Sequence, residues 1–92
     1  MGVSMQGRMW TPPPIYSWDV TTDDASEGGV TGDREEALAA VKAALQRAPR
    51  GAEGVVDRVA LSPLGWTTYV PLNPIARARR DRESGDVVWA EL

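Results

Sequence analysis

The chain is predicted to form one α+β domain, a four-stranded, mainly antiparallel sheet carrying one long helix in the order βαβββ. Three observations predict this. Residues 15–21 alternate apolar and polar at the period of a half-buried strand, residues 33–48 carry a capped helical repeat, and the residues beyond 55 return to strand-like composition.

In the first strand, Ile15 to Thr21, residues Tyr16, Trp18 and Val20 share one parity and are assigned to the core, while Ser17, Asp19 and Thr21 face away. Ahead of it, Trp10-Thr11-Pro12-Pro13-Pro14 lacks three amide donors and cannot be helical. Residues 22–32 are acidic, contain three glycines and show no period, so they are read as a loop. The helix starts at Asp33, an N-cap followed at the third position by Glu36 in a capping box; Glu35 and Glu36 at its start and Arg47 and Arg50 near its end suit the helix dipole. Leu38, Val41 and Leu45 with Ala37, Ala44 and Ala48 form its apolar stripe, and Pro49 and Gly51 stop it near Ala48. A stripe this rich in alanine lets the helix lie close to a sheet.

Val55 to Leu61 reads as the next strand, although Asp57 falls on its apolar parity. Residues 62–65, Ser-Pro-Leu-Gly, form a turn, and Trp66 to Val70 is rich in strand formers. Residues 75–92 admit two readings. In the first, Ile75 to Arg80 is a strand, residues 81–86 a glycine-containing turn and Val87 to Leu92 the returning strand. In the alternative, Asn73 caps a helix with Pro74 at its first position and Gly85 at its end, giving the ferredoxin-like order βαββαβ. Beyond Ile75 and two alanines that helix has no apolar stripe, which favours the strand.

Composition limits function. The 92 residues include no histidine and no cysteine, so the commonest acid-base group near neutral pH, the strongest nucleophile and the soft metal ligands are all missing. The expectation is a non-enzymatic protein with no cofactor and no metal, held together by packing alone and suited to the cytoplasm. No run approaches the length of a membrane span, and residues 1–9 lack an apolar signal core; they are expected to be a disordered N-terminal segment ahead of a single domain over 10–92. With no phenylalanine, the large apolar surfaces must come from four tryptophans, two tyrosines and aliphatic residues.

Net charge is -3, unevenly spread. Residues 1–36 hold seven acids and two bases, whereas residues 77–82 hold four arginines and one aspartate. The candidate contact residues are Arg77, Arg79, Arg80 and Arg82 with Trp66 and Trp89. On a strand, Arg77 and Arg79 project from one face and Arg80 from the other; such a ribbon can meet phosphates, or it can be an edge guarded by charge and paired with the acidic segment 19–36. Tryptophans beside arginines can stack bases or anchor an interface. Other patterns point less specifically. Asp24, Ser26, Gly29 and Glu35 match some positions of a calcium loop, but Gly28 stands where a ligand is needed. Asp23 with Asp24, or Glu53 with Asp57, are the available carboxylate pairs, and Gly28-Gly29-x-x-Gly32 lacks the lysine of a phosphate loop.

Tyr16-Ser17-Trp18-Asp19-Val20, Ala78-Arg79-Arg80-Asp81 and Ser84-Gly85-Asp86-Val87-Val88-Trp89 resemble segments of short uncharacterised proteins from high-GC Gram-positive bacteria, and the preference for Arg over Lys suits that origin. The resemblance implies no activity. The leading expectation is a protein-interaction module, self-associating as a homodimer or binding another protein through a sheet face or edge; the alternative is an accessory DNA-binding protein using the arginine hairpin, and no membrane partner is expected.

Overall fold

A computed structural model describes residues 13–61 and 69–90. Their elements are β1 (Ile15–Thr21), β2 (Ser26–Thr31), α1 (Arg34–Arg47), β3 (Glu53–Leu61), β4 (Tyr69–Arg80) and β5 (Val87–Ala90). The five strands form one antiparallel sheet in the order β2-β1-β3-β4-β5, with α1 across one face. The class is the expected α+β with one helix; the sheet has five strands rather than four. The ferredoxin-like alternative is corrected, because residues 75–80 are strand and not helix.

The added strand is β2, in the segment read as a loop. Its glycines make room for neighbouring side chains. A Cβ on Gly29 would lie 2.8 Å from Trp18 Nε1, and one on Gly28 would lie 2.6 Å from Asp19 Oδ1 and 2.5 Å from the Trp18 carbonyl oxygen. The Trp18 indole thus supplies on the sheet surface the bulk that glycine lacks. Thr22 closes the β1–β2 hairpin, its amide donating to the Ala25 carbonyl at 2.8 Å. The calcium-loop spacing dissolves here too: Ser26 and Gly29 sit within β2, paired with Thr21 and Trp18, and Glu35 sits in α1.

The helix follows its sequence signals. Asp33 is the N-cap, its Oδ1 accepting from the Glu35 amide at 2.9 Å. The reciprocal half of the capping box is replaced by a relay through Thr31, whose hydroxyl accepts from the Asp33 amide and donates to Glu36 Oε1, each at 3.2 Å. Ala37, Val41, Ala44 and Leu45 are buried, and together with Val20, Ala52, Val56 and Ala78 they make the core, flanked by Tyr16, Trp18, Leu38, Ala48, Ile75 and Val87. As expected, Tyr16, Trp18 and Val20 face this side. Among the described residues no polar or charged side chain is buried.

Tyr69 and Val70, the described end of the expected segment Trp66–Val70, belong to the same strand as Ile75–Arg80, since β4 runs without a break from Tyr69 to Arg80. Its pairing with β3 shifts register twice, between Val56 and Asp57 and between Arg58 and Val59, leaving Ile75 and Leu72 as extra residues on β4. Pro71 and Pro74 stand beside these irregularities, where a strand tolerates a missing amide. The turn expected at residues 62–65, Trp66, and residues 1–12 lie outside the described residues.

Close approach of α1 depends on Gly54. A Cβ there would stand 2.6 Å from Val41 Cγ1 and 3.3 Å from Val20 Cγ2, both on buried valines with stiff side chains. Gly54→Ala is therefore expected to lower the stability, measured by urea unfolding, by about 1–3 kcal/mol through overpacking. An unchanged midpoint would show that the helix can lift at no cost.

Candidate functional site

The strand pleat divides the six expected contact residues. Register places Ala76, Ala78 and Arg80 on the helix side of β4, opposite Val56, Gly54 and the residues leading into β3; Arg77 and Arg79 project from the opposite face, beside Val55 and Glu53. Trp89 pairs with Ala78 and so lies on the helix side, 39% exposed, at an open groove of about 610 Å³ lined by Leu38, Ala39, Lys42, Ile75 and Trp89. Trp66 is outside the described residues. The set does not form one surface.

Arg80 is committed to the fold. Its Nη1 donates to the carbonyls of Ala48 at 2.6 Å and Gln46 at 3.4 Å, and its Nε donates to the Gly85 carbonyl at 2.9 Å. The guanidinium thus satisfies carbonyls at the negative end of α1 while fastening the β4–β5 turn to it. Arg50 reinforces the same turn through the Glu83 carbonyl at 2.9 Å, and Arg82 lies against Gly51, whose backbone has φ 94°. Arg77 and Arg79 remain as the arginines of the open face.

That turn also fixes the end of β4. Asp81 Oδ1 accepts from the amides of Glu83 at 2.7 Å and Ser84 at 3.0 Å, while Gly85, at φ 76°, closes the loop by donating to the Asp81 carbonyl. The Ser84 and Glu83 amides hold the Asp81 carboxyl below its ordinary range, with Arg79 adding a weaker attraction at 3.8 Å.

On the face away from α1, the register sets charges in columns. Asp19 stands on β1 and Glu53 and Asp57 on β3, with Arg77 and Arg79 on β4; Glu53 is directly opposite Arg79. No described helix crosses this side, where Val59 alone is buried by register, at 5% exposed. Val30, Leu61, Tyr69 and Val88 are 46%, 53%, 41% and 40% exposed, and by register all four belong to it. The acidic segment does not pair with the arginines of residues 77–82. Among the described residues, its one ion pair is Glu27 with Arg47 of the helix, at 2.9 Å. Nor is the arginine-bearing strand an edge along that stretch, since β5 covers Arg77 to Arg80.

The carboxylate pairs do not make a reaction centre. Glu53 and Asp57 are four residues apart on one strand, about 13 Å by strand rise, beyond the separations of about 5–9.5 Å used in glycoside hydrolysis. Asp23 and Asp24 line a cavity of about 60 Å³ with Arg50 and Arg82, room for a water or two. Among the described residues no group of three or more acidic side chains converges as a metal site would require, and no helix is long and apolar enough to cross a membrane.

No protein-family model, curated protein or solved structure matches the chain. The acid column had been visible in sequence only as scattered carboxylates; what joins them is the pairing of β1 with β3 and of β3 with β4.

Two variants test the architecture around the arginines. Arg80→Ala is expected to cost about 1.5–3 kcal/mol, because charge-assisted bonds to part-buried carbonyls are lost. Asp81 contributes stability in full above the ordinary carboxylate pKa and loses it as pH falls through the lowered folded value. The stability gap between wild type and Asp81→Asn should thus stay open from about pH 6 down to about pH 4 and close only as the pH is lowered further, through the lowered folded value. A gap that persists unchanged well below the ordinary carboxylate pKa would detach the turn from the carboxylate's charge.

Proposed function

We propose that the chain is a cytoplasmic, non-enzymatic interaction module that self-associates through the open face of its sheet. The observation that carries this reading is the presence of both charge columns on the face away from α1. Such a face is its own complement: a two-fold axis can lay the acids of one copy on the arginines of the other, as an isologous interface requires. The exposed valines, Leu61 and Tyr69 provide the apolar part of the contact.

Area sets the strength. Five strands at about 4.8 Å spacing span about 24 Å, and about six residues of overlap run about 20 Å, so the face offers about 480 Å² per copy in projection. That is below the ~800 Å² per partner of a standard stable complex, so a dimer with a dissociation constant on the order of micromolar is expected. For nucleic acid the same face is less suited, because Arg80 is engaged internally and three carboxylates flank the two remaining arginines.

Sedimentation equilibrium tests the reading. Wild type should dimerise at micromolar concentration, less tightly as salt is raised. Arg77→Glu/Arg79→Glu and Asp19→Lys/Glu53→Lys should each be monomeric alone, yet form a heterodimer when mixed, since the mixture restores opposite charges across the contact. A wild type that stays monomeric to about 1 mM refutes self-association. If that monomer also binds labelled duplex DNA, and Arg77→Glu/Arg79→Glu abolishes the binding, the arginines serve nucleic acid instead.

A further inference from the structure

The alternation of main-chain bonds along β4 fixes which groups of β5 are left over. Arg80 uses its main chain toward the start of β3: its amide donates to the Ala52 carbonyl at 2.9 Å, and its carbonyl accepts from the Gly51 amide at 2.8 Å. Successive residues of a strand bond alternately to its two neighbours, so Arg79 and Arg77 face β5 and bond there to their partners Val88 and Ala90. The Asp81 amide keeps the same phase, donating to the Asp86 carbonyl at 2.8 Å. Val87 and Trp89 consequently direct their amides and carbonyls away from the sheet, and among the described residues no strand lies on that side. β5 also lacks the usual guards of an edge, since Val87-Val88-Trp89-Ala90 holds no charge and no proline and its register with β4 is unbroken. The opposite edge differs. In β2, Gly28 and Gly29 offer a neighbour no side chains, and Glu27 is tied to Arg47.

Beside this edge, on the helix side, lies the groove of about 610 Å³ between α1 and the sheet, with Leu38, Ile75 and Trp89 as its larger apolar side chains. Arg34, Leu38 and Lys42 follow one another at spacings of four on α1, which sets the two cations about 12 Å apart with Leu38 midway. Both cations are exposed, and among the described residues neither is in an ion pair. Glu35 is the one acid lining the groove, so its rim is positive by one charge. On a strand, residues i, i+2 and i+4 face the same side and span about 14 Å, close to the separation of the cations. We propose that the outer edge of β5 takes up an extended peptide as a further strand. The peptide has the pattern acid-x-apolar-x-acid, its apolar side chain against Leu38 and Trp89 and its carboxylates at Arg34 and Lys42. The site is separate from the open face, which lies on the other side of the sheet. A second copy fits this edge less well, because Val87-Val88-Trp89-Ala90 brings no carboxylate to the two cations. With two residues supplying the main-chain bonds, the dissociation constant is on the order of 10–100 μM.

Random heptapeptides displayed in many copies on phage, selected on the full chain, provide the probe. A peptide synthesised from the enriched sequences is then titrated by fluorescence anisotropy. The enriched sequences should place acids two positions to either side of an apolar residue. Lys42→Glu, at an exposed position of α1, should weaken the synthetic peptide at least tenfold, verified against an unchanged circular dichroism spectrum. With saturating peptide, the amides of Val87 and Trp89 should exchange with deuterium at least tenfold more slowly by nuclear magnetic resonance, an effect that binding in the groove without strand addition does not produce. No enrichment, enrichment without the paired acids, equal binding by Lys42→Glu, or unchanged exchange at Val87 and Trp89 each overturns the proposal. So does protection of those two amides that grows with the concentration of the chain alone, since it assigns the edge to a second copy. The open face is tested separately, by its own charge reversals.

Discussion

The contact between Val41 of α1 and the bare backbone at Gly54 sets the height of the helix above the sheet, and much else follows from that height. With no side chain at residue 54, the helix can come close enough for alanines to fill the remaining space, so Ala37, Ala44, Ala52 and Ala78 complete a core whose largest fully buried side chains are Leu45, Val41 and Val56. A core made of small residues has little volume to spare in either direction. The aromatic residues consequently sit at its border: Tyr16 and Trp18 pack against it from β1, while Trp89 stands half-exposed at the opposite side. The low helix also brings its C-terminal carbonyls within reach of Arg80, whose side chain spans from the sheet to the helix end. Alternate residues of β4 thus turn to opposite sides, Ala78 and Arg80 toward the helix and Arg77 and Arg79 away from it.

Where local chemistry and local structure coincided, the sequence was readable. The alternation of residues 15–21 gives β1 with its limits and its buried face, and Asp33 gives the start of α1. The parity of the arginines is legible as well, since it requires only that residues 75–80 be extended. What escaped depends on residues distant in the chain. β2 reads as a loop because Gly28 and Gly29 look like breaks, and only the indole of Trp18, ten residues earlier, explains why a strand accommodates them. The role of Arg80 is hidden because its acceptors belong to Gln46, Ala48 and Gly85, two of them more than thirty residues away. The acidic column is hidden for the same reason: Asp19 and Glu53 become neighbours through strand pairing, and composition registers them only as a negative half and a positive end.

The two faces of the sheet follow opposite rules. On the helix side, contacts are close and fixed, and polar groups that reach it, such as the Arg80 guanidinium, find acceptors within the chain. On the other side, charges of both signs stand near one another; among the described residues the ion pairs are Arg47 with Glu27 and Arg79 with Asp81, neither joining the two columns. Glu53 and Arg79 are cross-strand neighbours without a direct bond, so each retains capacity for an incoming charge. Exposed pairs of that kind contribute little to the stability of a monomer, while their field can orient a charged body that approaches.

The two irregularities in β4 behave like a frameshift and its suppressor. Each adds one residue to β4 relative to β3, and a single addition would reverse which face every later side chain occupies. Two additions restore the reading frame of the pleat. For that reason Tyr69, before the irregularities, and Arg77 and Arg79, after them, lie on the same face of the sheet, while Ala78 and Arg80 keep their places beneath the helix. Lineages in which one irregularity was lost would have to lose the other as well, or exchange arginine for alanine at every second position of the strand.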